Sequence, residues 1–302
     1  MLQQFDPRNN DLKLHVNGAL LHRDEAKISV FDSVVQGGDA VWEGLRLYPE
    51  GIIWLDRHLD RLFDSAHALA FENVPSRESV QDALWETLKA NNMDRDVHIR
   101  LTLTRGEKIT SGMDPRLNQK GCGLIIVPEW KPPVYDNNKG IRVITSTIRR
   151  NSPLFLDSKI HHNNLLNNIQ AKIQSNVADV DAALQLDKDG FAAELNGTNI
   201  FAVKNGVILT PFATACLPGI TRGYVMELAK TNNLEMHEDN LSLTTLYTAD
   251  ELFCTGTMGE LTPIVELDGR KIGKGKNLMV TKLNEYFVED RIKHCVDAKT
   301  RV

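Results

Sequence analysis

The chain has 302 residues, of which 42% are hydrophobic and 25% charged, and its formal net charge is −5 at pH 7. That length favours two domains, each large enough to bury its own core. The negative net charge and the dispersed Lys and Arg residues argue against nucleic-acid binding. No apolar run is long enough to span a bilayer, and residues 1–7 lack the charged and apolar regions of a signal peptide. We therefore expect a soluble, cytoplasmic protein with no membrane partner.

The elements predicted for the N-terminal half are strands at 12–16, 19–22, 38–48, 52–54, 98–104 and 123–127 and helices at 55–69 and 76–91. An Asn17-Gly18 pair between two short apolar runs is typical of a tight hairpin turn. Apolar residues recur at helical spacing over 55–69, and Ser76 is a candidate cap for the second helix. Period-two alternation over 98–104 indicates a half-buried strand. The half is therefore predicted to be α+β with antiparallel strands.

A domain boundary is predicted where this pattern breaks. Three prolines occur in the six residues 128–133, and a polar segment follows at 136–140. We predict an N-terminal α+β domain over 1–127, a linker over 128–138 and a C-terminal domain over 139–302.

The elements predicted for the second half are strands at 141–145, 182–186, 199–204, 206–210, 251–255 and 264–267 and helices at 163–177, 221–231 and 278–291. Asp-Gly and Asn-Gly turns separate the central strands. No internal repeat or low-complexity segment is present.

Metal chemistry is not predicted. The cysteines are Cys122, Cys216, Cys254 and Cys295. They form no CxxC pair, which disfavours a zinc cluster and a disulfide framework. His161 and His162 are adjacent rather than one helical turn apart, so their rings would not share a face as zinc ligands normally do.

The most informative stretch runs from residue 151 to residue 222. It contains a lysine, Lys159, whose amine can form a Schiff base. Glu194 supplies a carboxylate that can keep a ring nitrogen protonated, and Gly219 lies in a turn entering a helix that can take a phosphate. Pyridoxal phosphate requires all three groups.

The motifs around these residues appear in the order of a known family. They are Val41–Arg46, His58–Leu62, Lys159 with its Asn-rich helix, Glu194–Phe201, Gly206–Pro211, Pro218–Arg222 and Thr255–Pro263. Over nearly its whole length the chain resembles the class IV, or fold type IV, pyridoxal-phosphate aminotransferases, and its motifs are closest to those of branched-chain enzymes. The resemblance implies an α+β or α/β fold with a smaller N-terminal domain and a larger C-terminal domain like a β-barrel.

The resemblance also assigns the cofactor site. Lys159 would be the catalytic Schiff-base lysine and would carry the substrate α-proton, and Glu194 would face the pyridine nitrogen. Arg61 would be the cation for the phosphate, with Arg57 as a rival. Further cofactor contacts are implied for Asn199, Ile220, Thr221, Gly256 and Thr257. Asn164 is a further cofactor-binding candidate and stands where branched-chain enzymes usually carry a tyrosine. Its amide can still donate a hydrogen bond but is shorter, so the contact could be remade by Asn163, by water or not at all.

Substrate recognition remains open at this point. Val41–Arg46 is similar to the segment of enzymes acting on apolar L-amino acids, whereas Thr104–Gly106 looks like D-amino acid and (R)-amine enzymes. The candidates for binding a substrate carboxylate are Arg46, Arg100, Arg105 and Arg116. Arg105 and Arg116 flank a segment containing Gly112 that could enter the site when substrate binds. Trp42, Met258 and Phe31 are candidates for an apolar side-chain pocket, or for ordinary core.

The function implied is a homodimeric, or higher homo-oligomeric, transaminase. It would move an amino group between an amino acid, with branched-chain or other apolar L-amino acids favoured, and a 2-oxo acid such as 2-oxoglutarate. The alternatives are a D-amino acid or (R)-amine transaminase, a lyase resembling aminodeoxychorismate lyase, and a noncatalytic protein that binds pyridoxal phosphate.

Overall fold

The computed structural model describes residues 4–273, 275 and 277–297. Its helices are α1 Ser33–Gly37, α2 Leu55–Ala68, α3 Arg77–Ala90, α4 Leu166–Val177, α5 Ile220–Thr231, α6 Leu243–Tyr247 and α7 Leu278–Asp290. Its strands are β1 Lys13–Val16, β2 Ala19–His22, β3 Ala40–Tyr48, β4 Gly51–Ile53, β5 Val97–Thr104, β6 Gly123–Trp130, β7 Ile141–Thr145, β8 Ala182–Leu186, β9 Ala192–Leu195, β10 Asn199–Lys204, β11 Val207–Pro211, β12 Met236–Asp239, β13 Glu251–Gly256, β14 Glu260–Leu267, β15 Arg270–Lys271 and β16 Cys295–Val296.

The chain divides into two compact units. The C-terminal unit consists of Pro133–Lys159 and Leu165–Arg291. Of the described residues, the N-terminal unit contains 4–132, the short segment Ile160–Asn164 and 292–297. The first change of unit falls within the predicted linker, but the chain then returns twice to the N-terminal unit. No change of composition marks the two places where the chain returns to the N-terminal unit. The predicted domain bounds, which treat each domain as one continuous segment, therefore stay a prediction.

The N-terminal unit is built on a seven-stranded sheet with the order β16-β4-β3-β5-β6-β1-β2. Its hairpin turn has Asn17 and Gly18 at positive φ, which is the geometry that an Asn-Gly pair favours. The helices α2 and α3 pack on one face of this sheet. There, Leu59 and Leu84 join a core with inward-facing strand residues such as Leu45. Ser76 accepts a hydrogen bond from Ser79 N–H and caps α3, as predicted.

The strand β6 corrects one prediction. This strand was predicted to end at residue 127. It continues through Pro128 to Trp130, and Pro128 is paired with Ile99 of β5. On its other side β1 pairs only with Ile125 and Ile126. Proline lacks an N–H group and is tolerated where a strand has no neighbour on that side. Pro128 therefore ends the pairing with β1 and not the strand itself.

The C-terminal unit is built on a nine-stranded sheet with the order β12-β11-β10-β13-β14-β7-β8-β9, and β15 pairs with β14. The last strand, β9, also lies against β10 and β11, so the sheet curls into a half-barrel. The prediction of a barrel-like C-terminal domain is confirmed, and the sheet has the form of a half-barrel. The elements α1, α6, β9 and β12 were not predicted. These elements have only four or five residues each, too few for a period to be visible in the sequence.

The helix after Lys159 starts three residues later than predicted. It begins at Leu166 because the preceding segment bonds to β3 instead. Trp42 N–H donates to the carbonyl of His161, and Asn163 N–H donates to the carbonyl of Ala40. These bonds hold residues 161–163 against the strand β3 of the N-terminal sheet.

Within the described residues, none of the helices is both long and apolar enough to cross a bilayer. The same part of the chain contains no group of three or more His, Cys, Asp or Glu side chains arranged to hold a metal ion. The four cysteines, all of which lie in that part, form no disulfide with one another.

Candidate active site

Glu194 lies on β9 of the C-terminal unit and is almost completely buried, with 5% of its surface exposed. Its Oε1 accepts a hydrogen bond of 2.5 Å from Nε of Arg150, which is equally buried. A buried carboxylate needs such a partner, because an unpaired charge loses its hydration without compensation. Arg150 therefore keeps Glu194 charged and fixed in orientation.

Asn199 connects Glu194 to the start of α5. Its side-chain N–H group donates to the carbonyl of Leu217 at 2.9 Å and lies 3.4 Å from Oε2 of Glu194. A Cβ atom at Gly219 would collide with Oδ1 of Asn199. Gly219 is therefore required here for close approach and not for an unusual backbone angle, since its φ is −62°.

The N-terminus of α5 has no side-chain cap. The first N–H groups of a helix have no partner within the helix, and together with the helix dipole they favour an anion. The hydroxyl of Thr221, in the first turn, is buried and has no hydrogen-bond partner within the described residues. This end of α5 thus offers both backbone donors and an unused hydroxyl.

The end of β13 lies beside the start of β10, because Thr255 pairs with Asn199 across the two strands. Gly256 is the last residue of β13 and Thr257 begins the turn, and a Cβ at Gly256 would contact the methyl group of Thr198 at 3.1 Å. Met258 is half-buried in the same turn, and its carbonyl accepts from Val134 N–H. The predicted cofactor residues of these strands and of α5 therefore converge in one unit.

Lys159 lies in the irregular segment between β7 and α4, and its side chain is exposed. The lysine lines a cavity of about 350 Å³ with Ser152, Asp187, Lys188 and Thr214 among the other lining residues.

The chemical groups of these residues match those that pyridoxal phosphate requires. The buried Glu194 is a negative partner for a ring nitrogen, and the uncapped start of α5 with the unpartnered Thr221 hydroxyl suits a phosphate. Lys159 supplies the amine.

In the N-terminal unit, Arg61 lies on α2 and is held by Glu43 of β3. Nε of Arg61 donates to Oε1 of Glu43 at 2.8 Å, and Nη2 donates to Oε2 at 2.7 Å. Nδ1 atoms of His58 and His161 contact the same carboxylate at 2.6 and 3.1 Å. The predicted phosphate cation is thus part of a buried network. Arg57, its rival, is exposed on α2.

The sheet face opposite α2 and α3 carries three of the substrate-site candidates, Trp42, Arg46 and Arg100. Side chains two residues apart share a face of a strand, which places Trp42, Gly44 and Arg46 together on β3. Arg100 pairs with Gly44 on the neighbouring strand. Its guanidinium carbon lies 3.5 Å from the centre of a Trp42 ring, and its Nη2 donates to Oδ1 of Asn163 at 2.5 Å.

The four candidate arginines differ in their partners. Arg105 is bound by Asp39 and by the carbonyls of Leu69 and Ala70, so its donors already have protein partners. Arg116 is exposed and pairs with a neighbouring aspartate. Arg46 donates to the carbonyl of Lys131 at 2.5 Å.

Within the described residues, neither Arg46 nor Arg100 has a carboxylate within salt-bridge distance. Burial lowers the pKa of Arg100 to about 10, and the group stays protonated at neutral pH. Asn163, which the sequence offered as a substitute for the missing tyrosine, is engaged by Arg100. Asn164 is exposed.

His98 lies beside these arginines and is predicted to make stability depend on pH. Burial, followed by the charges of Lys131, Arg46 and Arg100, lowers its pKa to about 3. The unfolded chain binds a proton near pH 6.5 and the folded chain does not, so stability falls as the pH drops from 6.5 towards 3. We expect His98→Phe to remove about 2 kcal/mol of the stability loss between pH 7 and pH 5. Urea unfolding at both pH values measures this. An equal loss in the wild type and the variant would contradict it.

Two residues of the site were not found from the sequence. Arg150 lies one residue before the informative stretch, and only the fold shows that it pairs with Glu194. Glu43 lies within the Val41–Arg46 motif, but nothing in the motif indicates that its carboxylate binds Arg61. A charged residue inside an apolar strand was the available signal for Glu43, because buried charges are rarely left unpaired.

Comparison with known proteins supports the family. Residues 40–267 match the model of the family described as amino-transferase class IV. The chain is 59% identical over 276 residues to branched-chain-amino-acid aminotransferase-like protein 2 of Arabidopsis thaliana, covering 91% of this chain and 49% of that protein. The chain thus spans about half the length of this relative.

Two further relatives match over nearly their whole length. A putative branched-chain-amino-acid aminotransferase of Methanocaldococcus jannaschii is 43% identical, covering 93% of this chain and 97% of that protein. A D-alanine aminotransferase of Bacillus licheniformis is 33% identical, covering 90% of this chain and 94% of that protein.

The fold is also that of a solved branched-chain enzyme. The structure of the T.th. branched-chain amino acid aminotransferase complexed with N-(5'-phosphopyridoxyl)-L-glutamate superimposes with a TM-score of 0.87 at 32% identity, covering 96% of each chain. Class IV aminotransferases depend on pyridoxal phosphate, and this chain has the matching motifs, fold and buried carboxylate. The chain belongs to the class IV, or fold type IV, aminotransferase family.

Proposed function

We propose that the protein is a pyridoxal-phosphate-dependent transaminase acting on a branched-chain or other apolar L-amino acid and on a 2-oxo acid such as 2-oxoglutarate. The observation that carries the proposal is the convergence of Glu194, Asn199 and the uncapped start of α5 in one unit. Fold alone does not fix function, so the argument rests on these side chains.

When bound, pyridoxal phosphate would supply an aldehyde that condenses with amines and a ring that accepts the electron pair of the broken C–H bond. Lys159 would hold the cofactor covalently. After an amino donor takes its place, the free amine would carry the proton released at the substrate α-carbon. Glu194, oriented by Arg150, would keep the proton on the ring nitrogen.

The phosphate would be bound by the backbone, hydroxyl and guanidinium donors that the family resemblance assigns to it. These are the N–H groups of Ile220 and Thr221, the hydroxyls of Thr221 and Thr257, and the guanidinium of Arg61. Asn199 would hold the turn that precedes α5, through its hydrogen bond to the carbonyl of Leu217. Gly256 would leave space for the phosphate at the end of β13, because it has no side chain. Asn164 stays a candidate for the remaining cofactor contact.

For the substrate carboxylate we propose Arg100, with Arg46 as its neighbour. Both guanidinium groups lack a protein carboxylate in the described part of the chain, whereas Arg105 and Arg116 each have one. Two cations on one sheet face suit a dicarboxylate such as 2-oxoglutarate. The half-buried Trp42 and Met258 are candidates to contact the apolar side chain of the amino donor.

This assignment predicts that Arg100→Gln raises the KM for 2-oxoglutarate by about 10- to 100-fold, because a charge-assisted hydrogen bond to the substrate is lost. Steady-state kinetics with the amino donor at saturation measures the effect. Arg116→Ala is the control, since its exposed guanidinium pairs only with Asp114 in the described structure. An unchanged KM in Arg100→Gln would remove Arg100 from the substrate site.

The preferred substrate is tested by the absorption spectrum of the cofactor-loaded protein during separate additions of L-leucine, D-alanine and (R)-1-phenylethylamine. Conversion to the pyridoxamine form by L-leucine alone supports the proposal. Conversion by D-alanine supports the second candidate, a D-amino acid or (R)-amine transaminase, which the D-alanine aminotransferase relative favours. The cytoplasmic location and the homodimer stay predictions.

A further inference from the structure

We propose that Glu43 is a positioning residue for the cofactor phosphate. Its buried carboxylate fixes the guanidinium of Arg61 and ties it, through His161, to the segment that directly follows Lys159. The inference rests on the proposed function, because it takes Arg61 as the cation that binds the phosphate.

The carboxylate of Glu43 is fully buried, and its contacts are complete. Its two oxygens have about four lone-pair sites. Nε and Nη2 of Arg61 occupy two of them, at 2.8 and 2.7 Å, and the Nδ1 atoms of His58 and His161 lie at 2.6 and 3.1 Å. No other side chain is needed to satisfy this carboxylate, and any shift of it would disturb all three partners.

The charges within the network favour one arrangement. Burial opposes the charge on Glu43, but the positive charge of Arg61 and the hydrogen bonds from Arg61 and His161 outweigh burial and hold the pKa of Glu43 well below its usual range. Burial lowers the pKa of His161 to about 4 and also lowers that of His58. Both rings are therefore neutral near pH 7. Because a carboxylate only accepts hydrogen bonds, each ring carries its proton on Nδ1.

The consequence for Arg61 is a fixed orientation. An arginine side chain is long and loses considerable freedom when it is held in one conformation. Glu43 binds the Nε–Nη2 edge of the guanidinium from its own strand, β3, and this two-point contact sets the plane in which the guanidinium lies. Prior fixation of this kind lowers the entropy lost when a ligand binds.

The link to the lysine segment comes from His161. Its ring contacts the ring of Trp42, with centroids 4.1 Å apart and planes tilted by 38°, and its backbone N–H donates to Oγ of Ser65 at 3.1 Å. Glu43 therefore contacts both the phosphate cation and the segment two residues after Lys159. A carboxylate that only neutralised Arg61 in the core would not require the contact with His161.

The test uses Glu43→Asp, which keeps the charge but withdraws the carboxylate by one methylene. We expect its affinity for pyridoxal phosphate to fall by about tenfold or more, since hydrogen bonds to charged groups are worth that much. Affinity for pyridoxal, which lacks the phosphate, is expected to stay within about twofold. Both dissociation constants are measured by absorption titration, and neither value depends on the activity of the loaded enzyme.

The matched control is Glu251→Asp. Glu251 is also a buried glutamate, and it accepts hydrogen bonds from Met279 and Val280 N–H at the start of α7. This variant should lose stability without changing the preference for the phosphate-bearing ligand. A second variant, His161→Phe, keeps an aromatic ring against Trp42 but removes one donor to Glu43, and a smaller loss of preference is expected. If Glu43→Asp does not fold, the ligand preference of His161→Phe tests the positioning role instead.

The outcomes separate the inference from the proposed function. An unchanged preference for pyridoxal phosphate in the variants, or an equal loss for both ligands, would overturn the positioning role. If Glu43→Asp lowers the preference in the wild-type background but not in Arg61→Gln, the role acts through Arg61 as proposed. A wild-type protein that binds neither ligand, or shows no preference for the phosphate, would instead refute the proposed function itself.

Discussion

Replacement of Lys159 by Ala is expected to lower the rate of transamination by at least about 10³-fold, because the variant loses both covalent attachment of the cofactor and the group that carries the α-proton. The measurement is turnover with an amino donor and a 2-oxo acid, together with borohydride reduction and mass spectrometry of the loaded protein. The wild type should retain one cofactor mass on the peptide that contains Lys159, and the variant none.

Lys188→Ala is the matched control for this result. Lys188 is exposed like Lys159 and lines the same cavity, where it pairs with Asp189. Its loss should leave both the turnover and the reduced adduct unchanged. An adduct on Lys188, or one that persists in Lys159→Ala, would show that the wrong lysine has been assigned.

Replacement of Arg150 by Met is expected to destabilise the protein by about 3–5 kcal/mol, because Glu194 would remain buried without its cation. Both side chains are only 6% exposed, so solvent offers little compensation. Urea unfolding of the two proteins measures the difference. Turnover should fall as well, since the carboxylate loses its orientation.

The double variant Arg150→Met/Glu194→Gln separates the two effects. Removal of both charges should recover most of the stability, because no buried charge is left unpaired. Activity should stay low, since a neutral amide does not keep a ring nitrogen protonated as a carboxylate does. Full recovery of turnover in the double variant would show that Glu194 has only a structural role.

The sequence was most reliable where local rules act. The Asn17-Gly18 turn, the Ser76 cap and the helical spacing over α2 each depend on residues close together in the chain, and each is found in the structure. It was least reliable at Pro128, where the outcome depended on how far β1 extends beside β6. Short elements such as β9, which carries Glu194, have too few residues for a periodic pattern to be visible in the sequence.

For the site, the sequence determined the chemical groups: a lysine, a carboxylate, a glycine turn before a helix and several arginines, in the order of the family. Only the tertiary structure decided how these groups are partnered. It places Arg105 against Asp39, leaves Arg100 beside Trp42 without a carboxylate in the described chain, and pairs Glu194 with Arg150. The physical reason is that motifs record residue types along the chain, whereas the role of a charge depends on neighbours that strand register and folding bring from distant positions.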